Sequence, residues 1–243
     1  MLPAFGPARD CMAQDFLQAV QRATPAEVRA ALRAGATVNP ACRWCDTPLI
    51  EAATYNPDPE VIRILLAAGA QPAARNGEGR TALMAASARN PNPEILKVLV
   101  QAGARLDGRE GVDNDTALMA AAAANPNPET ARYLIAAGSD VNARDAGGRT
   151  ALMHAARANP DPAMTRLLLA SGARVEEKDS YGMGALHWAG RNGSAPEVVS
   201  VLLAAGADAR LKDGEGKTAA DYAAANPAFK GSAVQQELQR RGR

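Results

Sequence analysis

Thr81–Ala104 reads TALMAASARNPNPEILKVLVQAGA. Its first eight residues are small or apolar and contain no breaker, so they are expected to form a short helix. Asn90-Pro91-Asn92-Pro93 ends it, because proline restricts the residue before it and cannot continue a helix. Asn92 is placed to cap a second helix with Pro93 at its first position, and Glu94 then puts a negative charge in the favoured first turn. Ile95, Leu96, Val98, Leu99 and Val100 supply the apolar side of that helix. Gly103 is expected to end it in a left-handed conformation.

The same frame begins again at Thr47, Thr116, Thr150, Gly184 and Thr218, at intervals of 34 or 35 residues. Gly35, Gly69, Gly138, Gly172 and Gly206 close successive units as Gly103 does. A period of this length with hydrophobic runs locked to it marks a repeat solenoid. Each helix is too short to be stable alone in water. Each pair also leaves an apolar face that only a neighbouring pair can cover, so the units must stack. Ala52, Ala86, Ala121, Ala155 and Ala189 share one frame position and keep the first helices close together. The regular proline and glycine punctuation excludes a coiled coil or a bundle of long helices.

Three signatures resemble the ankyrin-repeat family: Thr-Ala-Leu-Met/His at the head of the first helix, Leu-Leu-x-x-Gly-Ala at the end of the second, and Asn-Ala-Arg-Asp-x-x-Gly-x-Thr between units. The clearest copy is Gly138–Ala156, GSDVNARDAGGRTALMHAA. The resemblance covers roughly residues 13–240 and implies an all-α stack of about seven antiparallel helix pairs joined by turns or short β-hairpins. The Asn-Pro-Asn/Asp-Pro connection makes the unit one residue longer than the family's usual one and resembles a form common in bacterial members. On this reading residues 1–10 are an irregular lead-in and 11–240 one solenoid. Residues 11–36 form its N-terminal cap, repeats start near 47, 81, 116, 150 and 184, and residues 218–240 form its C-terminal cap.

The 243-residue chain has a formal charge of +1, so no global field draws it to nucleic acid or membrane. It contains no run of 18 apolar residues, hence no transmembrane helix is expected. The first residues do not read as a signal peptide, which points to the cytoplasm. Cys42 and Cys45 have the spacing of a redox motif or half of a zinc site. The βαβ setting of a redox centre is missing, and structural zinc wants four ligands. Cys11 is a possible third, but no histidine lies nearby in sequence. We read them as ordinary cysteines or a local disulfide.

Catalytic candidates are scarce. His187 matches the histidine of the family's Thr-Pro-Leu-His motif, which implies a structural hydrogen bond to the turn. His154, one position further on, is expected on the groove surface. Asp145 and Asp179 are expected to accept turn N–H bonds. Gly184, in place of threonine, should lose a brace on its turn, and Gly190 should weaken its helix modestly. No phosphate-cradling, zinc-protease or serine-hydrolase motif is present. We expect no enzyme and no cofactor.

In ankyrin-like proteins the binding surface is the concave side, made by the turn tips and the exposed side of the first helices. The resemblance implies five bands there: Arg43, Trp44, Asp46, Glu51, Thr54 and Tyr55; then Arg75, Glu78, Arg80 and Arg89; then Glu110, Val112, Asp113 and Asp115; then Arg144, Arg149, His154 and Arg157; then Lys178, Tyr181, Met183, Trp188, Arg191 and Asn192. Aromatic residues and arginine carry much of the energy at protein interfaces. An acidic middle band between arginine-rich bands suits a partner protein with matching charges rather than nucleic acid, which needs a continuous basic stripe. The expected function is a protein–protein interaction module, monomeric by itself. The rival readings are self-assembly and a small-ligand role around His154.

Overall fold

The structure is a computed structural model that describes residues 15–40, 46–109, 114–193 and 195–242. Helix α1 covers 15–20 within that range. The remaining helices come as pairs. Helix α2 (Pro25–Arg33) is followed by α3 (Pro48–Tyr55) with α4 (Pro59–Ala67), α5 (Ala82–Arg89) with α6 (Pro93–Gln101), and α7 (Ala117–Ala124) with α8 (Pro128–Ala136). Next come α9 (Ala151–Ala158) with α10 (Pro162–Ala170), α11 (Ala185–Asn192) with α12 (Pro196–Ala204), and α13 (Ala219–Ala225) with α14 (Ala233–Arg241). The last pair is joined by a 3-10 turn at Pro227–Phe229. No strand forms among the described residues, and turns rather than hairpins link the units.

The odd-numbered helices from α3 to α13 pack in one row and the even-numbered helices from α2 to α14 in a second. The hydroxyls of Thr47, Thr81, Thr116 and Thr218 accept from the backbone N–H three residues on, satisfying one of the orphan donors of each first helix. Asp58, Asn92, Asn127 and Asp161 cap the second helices, each followed by proline. Gly103 and its five counterparts have φ between +91° and +105°, where a Cβ would be strained.

The core runs along the seam between the rows rather than gathering at a centre. Leu49, Leu83, Leu118, Leu152 and Leu186 are buried at one position of each first helix, and Ile62, Leu96, Leu134, Leu168 and Leu202 are buried in the second row. The alanines from Ala52 to Ala189 that share a frame position are fully buried between first helices.

The Asn-Pro connections do more than stop a helix. Asn90 donates its amide to the carbonyls of Ala53 and Asn56, both at 2.9 Å, in the preceding unit. Asn125 does the same to Ser87 and Asn90 at 2.7 and 2.9 Å. Asn56, Asn159 and Asn226 repeat the pattern. Each of these asparagines also accepts from the N–H two residues on. Carbonyls freed at the end of one helix are thus satisfied by the next unit, as buried backbone groups require.

The unit at Gly184 is the exception, because Gly193 stands where the others have asparagine. Gly184 cannot cap, but His187 Nδ1 accepts from the Gly184 N–H at 3.2 Å, so the histidine replaces part of the missing brace. Gly190 has a role beyond the helix-weakening one expected. A Cβ there would lie 2.6 Å from the Ala219 carbonyl oxygen. Glycine allows α13 to approach α11 at a separation that no side chain would permit.

Candidate functional site

One frame position decides the character of the exposed first-helix side. Five residues before the starts at Thr81, Thr150, Gly184 and Thr218 lies a turn residue: Asn76, Asp145, Asp179 or Asp213. Oδ1 of each accepts backbone N–H bonds that hold the turn. Asp145 accepts from Arg149 at 2.8 Å, Asp179 from Tyr181 and Met183 at 2.9 Å, and Asp213 from Glu215 and Lys217 at 2.9 and 3.0 Å. The two aspartates read as turn acceptors therefore have that role.

The second side-chain atom of the turn residue points toward the residue nine positions on. His154 Nε2 lies 2.9 Å from Asp145 Oδ2. Trp188 Nε1 donates to Asp179 Oδ2 at 2.9 Å. The Tyr222 hydroxyl donates to Asp213 Oδ2 at 2.5 Å. Three chemically different rings are held by one carboxylate geometry. In the Thr81 unit the turn residue is Asn76 and the corresponding position is Ala85. Asn76 Nδ2, a donor, turns back to Asp46 Oδ1 at 2.7 Å, and the alanine lines an open hollow.

Two hollows result. The first, about 520 Å³, has alanines Ala85, Ala88, Ala120, Ala123 and Ala124 as its floor, with Asp46, Glu51, Glu78, Asp115, Arg80, Arg89 and Tyr55 around it. The second, about 870 Å³, is walled by Tyr181, Trp188 and Tyr222, with Arg149, Arg157, Arg191, Asp213 and Glu215. The Arg157 guanidinium lies 5.6 Å from the Trp188 ring centre, and that of Arg191 lies 5.8 Å from Trp188 and 5.5 Å from Tyr222.

Electrostatics separates the two. Burial pushes the Glu51 carboxyl up, against a hydrogen bond from Gln21 and with Asp46 nearby adding to the rise. Burial would also raise Asp145, but His154 together with the N–H and guanidinium of Arg149 outweighs it and holds the group below the usual range. Asp213 is held low in the same way, chiefly by the Tyr222 hydroxyl. The Tyr222 phenol is correspondingly pushed up to about 12 by that bond. Burial lowers His187, whose Nε2 lies 3.0 Å from the Leu211 carbonyl and 3.3 Å from that of Lys217. It binds the following turn, as its motif implies.

Four residues expected on the display surface are buried: Met183, Trp188, His154 and Thr54, at 2, 8, 7 and 9% exposure. Thr54 turns its hydroxyl back to the Ile50 carbonyl at 2.6 Å. Asp145 and Asp179 draw the two rings against the turns. Met183 is fixed by the bond from its N–H to Asp179 and covered by Arg191, whose guanidinium approaches its sulfur at 3.8 Å. Trp188 still presents an edge to the second hollow. Tyr55 and Tyr181 are exposed at 48 and 70%, and Arg75, Glu78, Arg80, Arg89, Arg157 and Arg191 are exposed as well. Arg89 reaches the Tyr55 hydroxyl at 3.3 Å. Arg144 is instead engaged along the turns, by Glu177 at 3.0 Å and the Lys178 carbonyl. Arg43, Trp44, Glu110, Val112, Asp113, Cys11, Cys42 and Cys45 lie outside the described residues.

Asp115, Asp145 and His154 bring one ligand atom each within 4.8 Å of one another. Arg149 and His154 already share Asp145 Oδ2 at 2.8 and 2.9 Å. A cation there would face a guanidinium and would have to displace both contacts. We read the cluster as the Arg149–Asp145 ion pair with a hydrogen bond to its carboxylate that orients the His154 ring.

Among known proteins, the family profile described as ankyrin repeats (three copies) matches residues 16–110, 88–179 and 153–234. A chain from the structure of the predatory endopeptidase Bd0816 of Bdellovibrio bacteriovorus in complex with immunity protein Bd3460 is 28% identical. It superposes with a TM-score of 0.64 over 78% of this chain and 96% of that one. The ankyrin repeat domain of Bcl-3, a member of the IkappaB protein family, is 29% identical with a TM-score of 0.63, covering 98% of this chain and 100% of that one. No curated protein sequence matches the chain.

Proposed function

The chain belongs to the ankyrin-repeat family, and from that premise we propose that it is a non-enzymatic scaffold that binds a partner protein on the side formed by its turns and first helices. The observation that carries this reading is the pair of hollows on that one side, each bordered by an exposed tyrosine and arginines. These are the side-chain types that anchor protein interfaces. Both histidines, the natural candidates for chemistry, are committed to structural bonds. The similar Bdellovibrio structure is itself a protein–protein complex, which supports the class of function without identifying a partner.

The contact residues of this proposal are the exposed members of the expected bands: Tyr55, Glu78, Arg80 and Arg89 on the first hollow, Arg157, Tyr181 and Arg191 on the second, with Arg75 beside them. On this reading the stacked units present them as one surface. Stacked units are already ordered, so little entropy is lost on binding.

Photo-crosslinking in cells of the source organism tests this. A crosslinking amino acid at Tyr55 or Tyr181 should capture a discrete protein, whereas the same group at Lys97 or Arg132, exposed on the second-helix row, should not. Equal capture from both rows, or none from Tyr55 and Tyr181, would reject the placement.

A further inference from the structure

Many cations among the described residues meet carboxylates. Arg29 and Arg63 meet Glu60, Lys97 meets Glu94, Arg132 meets Glu129, Arg149 meets Asp145, and Lys217 meets Glu215. Arg157 and Arg191 differ. Both are exposed, and neither forms an ion pair with a described carboxylate. They are held by rings instead, Arg157 over Trp188 and Arg191 between Trp188 and Tyr222.

The guanidinium carbons lie 5.5–5.8 Å from the ring centres, and although Arg191 directs one N–H to the Met183 sulfur, both groups keep further N–H donors. Those donors form a planar fork that matches a carboxylate with two parallel hydrogen bonds. The rings here are themselves fixed, Trp188 by Asp179 and Tyr222 by Asp213, so the forks are pre-positioned and lose little freedom when they bind. The acids on the same wall do not satisfy them. Asp213 is occupied by Tyr222 and by the turn, and Glu215 by Lys217 at 2.8 Å.

We propose that the second hollow is a receptor for an acidic linear segment of the partner protein, with Asp or Glu side chains of that segment seated on the Arg157 and Arg191 forks beside the Trp188 edge. The inference rests on the scaffold reading above and adds the chemistry of the partner. Charge complementarity favours a segment with one or two carboxylates over a polyanion. Asp213 cancels part of the local positive charge, and a nucleic acid would need a continuous basic track.

A random ten-residue peptide display library, selected on the intact chain, tests the proposal. Selected peptides should be enriched in Asp and Glu. Their glutamine and asparagine isosteres should bind at least tenfold more weakly. Arg157→Gln/Arg191→Gln should lose at least tenfold affinity, whereas Arg80→Gln/Arg89→Gln on the first hollow should lose less than twofold. Arg191→Lys keeps the charge without the fork and should lose several-fold. The substitutions should lower thermal stability only slightly, through lost ring and Met183 contacts, with a single cooperative transition kept, which separates lost binding from lost folding. Selection without acidic enrichment would overturn the proposal. So would equal affinity of the isosteres or of the double variant, full affinity of Arg191→Lys, or tighter binding of a twenty-residue oligothymidylate. Persistence of the Tyr181 crosslink in Arg157→Gln/Arg191→Gln would also remove the acidic-segment inference, while leaving the scaffold reading intact.

Discussion

The alanine-floored hollow beside Tyr55 and the ring-walled hollow beside Tyr181 are the same surface of the same repeat, built on equivalent helices and equivalent turns. They differ because Ala85 stands in one unit where His154, Trp188 and Tyr222 stand in others. The turn residue changes with it. Asn76 offers a donor and turns to Asp46, whereas each aspartate offers an acceptor and captures a ring N–H or O–H. A repeat frame therefore specifies a surface by pairs of positions nine residues apart, and one such pair converts an open floor into a wall.

The largest test of that contrast is Trp188→Ala. Removing a buried indole should cost about 3 kcal/mol or more in urea unfolding, whereas Tyr55→Ala, an exposed ring on the other hollow, should change stability by about 0.5 kcal/mol or less. Similar small effects from both would mean that the ring wall is not a packed element. A step smaller, Asp179→Ala leaves the Trp188 N–H without its acceptor and removes two turn bonds, for an expected loss of about 2 kcal/mol. Asn76→Ala should cost about 1 kcal/mol, because its bonds lie nearer the solvent. Equal midpoints for these two variants would break the nine-residue rule.

The subtlest contrast is in titration. Carboxyl carbon NMR should place Glu51 above the ordinary glutamate range and Asp145 below the ordinary aspartate range. The signs for stability are then opposite. Asp145, with its folded value depressed, contributes stability above its unfolded value and loses it as pH falls through the folded one. Glu51, with its folded value raised, costs stability when ionised, and acidification through its folded value relieves that cost. Glu51→Gln should accordingly leave neutral-pH stability unchanged or slightly higher. A clear loss at pH 7 would show that the ionised form is needed.

Sequence legibility followed the backbone closely and the side chains less so. Thr81, Pro93 and Gly103 announce helix starts and stops through local sterics and hydrogen bonding, and these are properties of the residue itself. His154, Met183 and Trp188 were expected at the surface because their frame position faces outward. Their burial depends on an acid in the preceding turn, which periodicity alone does not reveal. A signal was present: Asp145, Asp179 and Asp213 each precede a ring by nine residues, and Asn76 precedes an alanine. Within its own helix Gly190 is only a cost. Its reason lies in Ala219, a residue of the next unit. The Asn-Pro motif was likewise read as a helix stop, because its second role is a bond to carbonyls some 34 residues earlier.

The asparagine ladder bears on how such a chain can lengthen or shorten. Each unit that has the asparagine brings its own donor and exposes the carbonyls that the next one uses, so the joint is written entirely within the repeated segment. Gain or loss of one whole unit from the Asn-Pro series rejoins a donor to a matching pair of acceptors and strands no buried polar group. The Gly184 unit breaks that grammar on one side only. It offers carbonyls to Asn226 but reaches back to nothing through Gly193, so a copy of it placed elsewhere would leave its upstream neighbour's acceptors unanswered. The units of the Asn-Pro series are, in this sense, interchangeable text, whereas the Gly184 unit is fixed in place.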